Sequence, residues 1–76
     1  MRYFRTKTKT TKDIKSLLTE LDSCILNKLN GRSDDIFGVI STCKPYPTKV
    51  GKKFATTEQV LSSIGKLVKL KLVEER

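Results

Sequence analysis

The chain has 76 residues, enough for one small domain and too few for a separate catalytic lobe. Its 16 Lys and Arg outnumber 8 Asp and Glu, for a net charge of +8 and a pI of about 9.8, and it has no histidine. That charge attracts polyanions, nucleic acid first among them, while the missing histidine removes the usual general base at neutral pH and leaves two cysteines as too few ligands for zinc.

Residues 1–11 read as a basic N-terminal arm, either mobile or holding a short strand at Arg2 to Arg5, and residues 12–76 as one domain. Arg2, Arg5, Lys7, Lys9 and Lys12 all precede the first acid, Asp13. The segment KDIKSLLTELDSCILNKLNGR sets Ile14, Leu17, Leu18, Leu21, Ile25 and Leu29 at steps of three and four, the stripe of an amphipathic helix. Thr11 or Asp13 is placed to cap its start, or Thr19 with Asp22 an internal start, and Asn30–Gly31 closes it.

A short second helix is expected after Ser33, taken as its N-cap ahead of Asp34 and Asp35. Ile36, Val39, Ile40 and Cys43 form its apolar face, Phe37 adds bulk, and Gly38 allows a neighbouring helix to approach. Lys44-Pro45-Tyr46-Pro47 ends it, and the sequence up to Phe54 reads as a basic loop carrying Lys49, Lys52 and Lys53.

A third helix over residues 57–69 follows, with Thr56 and Gln59 as a capping box. At about 100° per residue, Val60, Leu61, Ile64, Leu67 and Val68 gather on one side, and Glu58, Gln59, Ser62, Ser63, Gly65, Lys66 and Lys69 on the other. Beyond Lys69 the period shifts to an alternation that suits a short strand from about Leu72. Cys24 and Cys43, with no CxxC, are either reduced core side chains or a disulfide pair.

No catalytic residues, metal site, cofactor or small-molecule substrate emerge. No phosphate-cradling motif is present, and Asp34 and Asp35, as helix neighbours, would diverge by about 100°. The third helix is the candidate reader of double-stranded DNA, because short hydrogen-bonding side chains let a backbone sink into the major groove. Thr56, Thr57, Gln59, Ser62, Ser63, Lys66 and Lys69 are its candidate contacts, with Lys49, Lys52, Lys53, Arg2, Arg5 and Lys7 on phosphates. Glu58 is the awkward member, since it repels phosphate.

The order of elements and the local wording resemble a winged helix-turn-helix domain, most closely the PadR family of transcriptional regulators. Leu18-Thr19-Glu20-Leu21-Asp22 followed by Ile25-Leu26 resembles the family's first-helix opening, and Asp35 to Ile40 its short second helix. Thr56 to Leu67 resembles its recognition helix, and Leu70 to Glu75 the entry to its wing. The resemblance implies a mainly α, three-helix winged-helix-like domain with a minimal or truncated β wing, and a role in transcription regulation. Three departures stand out: Val60 or Leu61 replaces a tyrosine, Lys71 replaces a glycine, and neither a return strand nor the family's long dimerisation helix follows. A compact viral or plasmid variant fits this pattern.

A rival expectation is a protein-interaction module whose arm, through Tyr3 and Phe4, adds a strand to a second copy or a host protein. A homodimer is also in view because so small a core is marginal alone. RNA binding lacks evident stacking aromatics, and membrane-surface binding is opposed by Asp13, Glu20 and Asp22 on the first helix. With no apolar run of about 18 residues and no secretory signal in MRYFRTKTKTTK, a soluble, cytoplasmic protein is expected.

Overall fold

The structure, a computed structural model, describes residues 2–76. In chain order the elements are β1 (Arg2–Arg5), α1 (Lys12–Ser16), α2 (Glu20–Leu29), β2 (Ser33–Asp35), α3 (Ile36–Cys43), β3 (Pro45–Thr48), β4 (Gly51–Phe54), α4 (Thr57–Lys69) and β5 (Val73–Glu75). With 48% helix, 24% strand and two antiparallel sheets, the fold is mixed α/β. This corrects the expectation of a mainly α, three-helix winged-helix-like domain with a truncated wing. Helices α2, α3 and α4 do follow one another as anticipated, and the strands around them account for the difference.

Two segments carry the correction. Residues 2–5 take the second of their two expected forms, a short strand, but as the central strand of a sheet ordered β2-β1-β5, with Tyr3 opposite Asp34 on one side and Glu75 on the other. The ladder closes where Arg2 N–H donates to Arg76 O at 2.7 Å and Arg76 N–H to Arg2 O at 2.9 Å. A three-residue strand such as β5 has no stability of its own, so it forms because a partner from the far end of the chain supplies the ladder. Because β1 is paired on both edges, it cannot add as a strand to another molecule.

The second is the stretch that reads as a loop, which is a β3–β4 hairpin in the register Pro45↔Phe54, Tyr46↔Lys53, Pro47↔Lys52 and Thr48↔Gly51. The prolines fall at alternate positions whose missing amide hydrogens are not needed between the strands, so the hairpin tolerates them. Lys49 and Val50 turn the chain and Gly51 follows at φ 117°, a backbone angle that a side chain disfavours.

The first amphipathic segment is two helices. Thr11 caps α1, and a new start at Thr19 gives α2 a capping box: Asp22 N–H donates to Thr19 Oγ1 at 3.2 Å, and Thr19 N–H to Asp22 Oδ2 at 2.9 Å. The cap of α3 is Asp35 rather than Ser33: its Oδ1 accepts from Gly38 N–H at 2.8 Å, while Ser33 lies in β2. A Cβ at Gly38 would overlap the Asp34 carboxylate, so the close approach there comes from a preceding side chain and not from a neighbouring helix.

Helix α4 has the expected bounds. It ends with Lys71 N–H donating to Val68 O and Leu72 N–H to Leu67 O, both at 3.0 Å, while Leu67 and Leu72 are fully buried, the pattern of a Schellman cap. The residue in the left-handed position is Lys71, at φ 62°, where glycine is the low-strain choice. Ile25, Leu29, Val39, Val60, Leu67, Leu72 and Val73 make the centre of the core. Leu61, assigned to the apolar side by its angle, is 47% exposed because the buried arc of α4 runs through Val60, Ser63, Ile64 and Leu67. No helix among the described residues is long and apolar enough to cross a membrane.

Cys24 and Cys43 are free thiols, buried, with their sulfurs 3.8 Å apart between α2 and α3. Burial, then the neighbouring Cys24, pushes the Cys43 thiol up to about 12. Both cysteines should therefore resist a maleimide in the folded protein at pH 7 and react promptly in denaturant; fast labelling without denaturant would contradict the packing. Lys71→Gly should raise the unfolding free energy by about 0.5–1 kcal/mol, read from the urea midpoint, because the substitution relieves the left-handed strain.

Candidate nucleic-acid interface

Val60, Ile64 and Leu67 turn one side of α4 into the core, so its other side is the one available to a ligand. That side is divided by Asp22. Its carboxylate, in the first turn of α2 and 1% exposed, accepts from Lys66 Nζ at 2.8 Å. Burial alone would push this carboxyl up. The bonds from Lys66 and the Thr19 amide, the neighbouring Ser63 hydroxyl and the Lys66 charge outweigh burial and hold it below the usual carboxylate range. Two of the anticipated DNA-facing residues, Ser63 and Lys66, are thus committed to the domain itself. Ser63 is 8% exposed, and Lys66 is half-buried.

The remaining members separate in the same way. Thr56 and Gln59 are exposed but bonded to each other's backbone: Thr56 N–H donates to Gln59 Oε1 at 2.9 Å, and Gln59 N–H to Thr56 Oγ1 at 3.1 Å. Thr57, Ser62 and Lys69 are exposed, and no hydrogen bond engages their side chains among the described residues. Arg5 is a structural clamp, its guanidinium donating to the carbonyls of Thr6, Thr8 and Leu72 and to Thr10 Oγ1 at 3.1–3.3 Å. Arg2 is exposed and fastened to Ser33, through Nε to Oγ at 3.1 Å and Nη2 to the carbonyl at 3.0 Å.

Lys7, Lys49, Lys52 and Lys53 are exposed. The last three belong to the hairpin, which packs through β3 against α2 and leaves every residue of β4 exposed. Its tip is tied down where Lys49 N–H donates to Glu20 Oε2 at 3.2 Å. Between the hairpin and α4 lies a cleft of about 580 Å³ lined by Thr19, Tyr46, Thr56, Glu58, Gln59 and Ser62 among others. Tyr46 is the contributor that sequence reading passed over; its place between two prolines was the sign of an extended strand.

The charges lie at both ends of α4. The hairpin lysines precede its start, and Lys69 and Lys71 follow at its end, beside the Lys7 segment, where Thr6 Oγ1 donates to Lys71 O at 2.6 Å. Among the described residues only Lys66 and Arg76 form ion pairs with carboxylates. No cluster of three His, Cys, Asp or Glu among them is arranged to hold a metal ion.

No protein-family model matches the chain, and no curated protein or solved structure matches it.

Asp22→Asn should lower stability at pH 7 by about 2 kcal/mol, the scale of a hydrogen bond to a charged group. A depressed carboxyl stabilises the fold above its unfolded value of about 3.9, and that contribution fades as pH falls through the folded value. The gap between wild type and variant should therefore narrow as the pH of urea titrations is taken from 7 down past the unfolded value of about 3.9. A gap that stayed constant would mean that the Asp22 charge contributes nothing.

Proposed function

We propose that this protein binds double-stranded DNA chiefly through charge, as a small transcription-regulating or architectural factor. The observation that carries this reading is the row of exposed lysines on the hairpin leading into α4, none of which forms an ion pair among the described residues, with Lys69 and Lys71 at the other end of that helix. Thirteen residues of α helix span about 20 Å, so cations at its two ends can meet phosphates on either side of a major groove about 12 Å wide.

Base reading is narrower than the whole polar face of α4 would suggest. Thr57, Ser62 and Lys69 are available, Gln59 only after giving up its cap, and Glu58 opposes close approach. The proposal is therefore a protein of strong salt dependence and modest sequence preference. A protein-interaction role remains the second reading, favoured by Phe37 and Phe54 standing 76% and 79% exposed.

Fluorescence anisotropy with a labelled duplex across a salt series tests the first reading. Affinity should fall steeply with salt, and Lys52→Ala with Lys53→Ala should flatten the log–log slope by about 2, close to 0.9 for each phosphate that a lysine no longer neutralises. Ser62→Glu should weaken binding more than about tenfold by placing a second carboxylate beside the phosphates. Absence of binding at low salt, or binding indifferent to salt, would reject DNA as the ligand.

A further inference from the structure

The two faces of the β3–β4 hairpin differ in character. Cross-strand partners in an antiparallel pair share a face, and successive residues alternate between faces. Tyr46 packs against the core and Ala55 is buried, so Tyr46, Lys53 and Ala55 turn toward the domain. The pairs Pro45↔Phe54 and Pro47↔Lys52 therefore turn toward solvent, and all four residues are exposed. Neither proline has an amide hydrogen to exchange across the ladder, so both are non-hydrogen-bonded pairs, the kind in which facing side chains lie closest. The register thus places Phe54 beside Pro45 and Lys52 beside Pro47.

A phenyl ring 79% exposed on such a face is unfavourable in water, and its neighbours indicate what covers it. Lys52 lies two residues along the same face, about 6.5 Å at the rise of a strand. Lys44 and Lys53 adjoin Pro45 and Phe54 in the chain, and none of the three lysines forms an ion pair among the described residues. A ligand that fits this face combines a flat apolar surface with repeated negative charge, and unpaired nucleotides have both. Paired bases fit poorly, because the stack already covers their faces and opening it has a cost. Phe37 is nearly as exposed, yet it follows Asp34 and Asp35, whose carboxylates repel phosphate.

We infer that the solvent face of the hairpin holds unpaired DNA, with one base lying on the Phe54 ring and Lys52 on the phosphate beside it. The inference rests on the DNA binding proposed above and narrows its ligand: duplex carrying a single-stranded extension is held more tightly than blunt duplex. The lysines serve paired and unpaired strands alike, whereas the ring serves only the unpaired one. Every base has a flat face, so the preference is for strandedness and not for sequence.

Anisotropy at one low salt concentration, comparing a labelled blunt duplex with the same duplex bearing an oligothymidine extension, tests the inference. Wild type should bind the extended ligand more than about fivefold tighter, and Phe54→Ala should remove that advantage while leaving blunt-duplex affinity within about twofold. Phe54→Leu, which keeps the bulk and lacks the ring, should lose it as well. The chain has no tryptophan, so Phe54→Trp supplies a single reporter whose emission the extended ligand should quench, while Phe37→Trp should stay unquenched. Both phenylalanines are exposed, and circular dichroism should show every variant folded. Equal affinity for the two ligands, an advantage that survives Phe54→Ala, an equal loss on both ligands, or unquenched Phe54→Trp emission with the extended ligand bound would overturn the inference. Any of these, with blunt duplex still bound in a salt-dependent way, leaves the proposed DNA binding standing; failure of both ligands to bind at low salt removes both.

Discussion

The buried carboxylate of Asp22 is the constraint on which the arrangement of this protein depends. It closes the capping box that lets α2 begin at Thr19, and the same oxygen accepts from Lys66 on α4. One charge thereby fixes where a helix starts and how a second helix is rotated against it. A carboxylate this buried is tolerable only because several donors converge on it. The cost falls on the surface: Lys66 and Ser63, which a free α4 would offer to a ligand, are held against α2.

That cost moves the weight of any polyanion contact away from the helix and onto the hairpin. A recognition helix alone would present a dense polar face; here the outer side of α4 is reduced to a few short side chains, an acid and a terminal lysine. The hairpin before it supplies cations that form no ion pair among the described residues, and β4 holds them exposed. Charge is therefore delivered by a strand and fine contact by a helix, which favours affinity over discrimination.

Closure of the chain on itself is the second organising feature. The first and last strands lie side by side, with Arg2 and Arg76 exchanging hydrogen bonds, so the terminus that reads as a basic arm becomes the middle of a sheet. This consumes both edges of β1 and leaves Glu74 and Glu75 at the surface of a predominantly basic protein. The left-handed backbone at Lys71 lies at the same junction, braced by the Thr6 hydroxyl on its carbonyl.

What the sequence determined by itself was local. The bounds and cap of α4, the internal start at Thr19, the helix end at Asn30–Gly31 and the apolar stripe of α2 are all legible, because helical periodicity and capping are interactions between residues three or four apart. Tertiary structure decided what depends on distant partners. Residues 2–5 become a central strand only when β2 and β5 arrive beside them, and residues 45–54 become a hairpin only with α2 beneath β3. The candidate interface divides along the same line: Ser62 and Lys69 stay exposed as the helical wheel indicates, whereas Ser63 and Lys66 are withdrawn by Asp22, which lies 44 residues from Lys66. A wheel records the angle of a side chain about its own helix; only packing reveals which carboxylate waits at that angle.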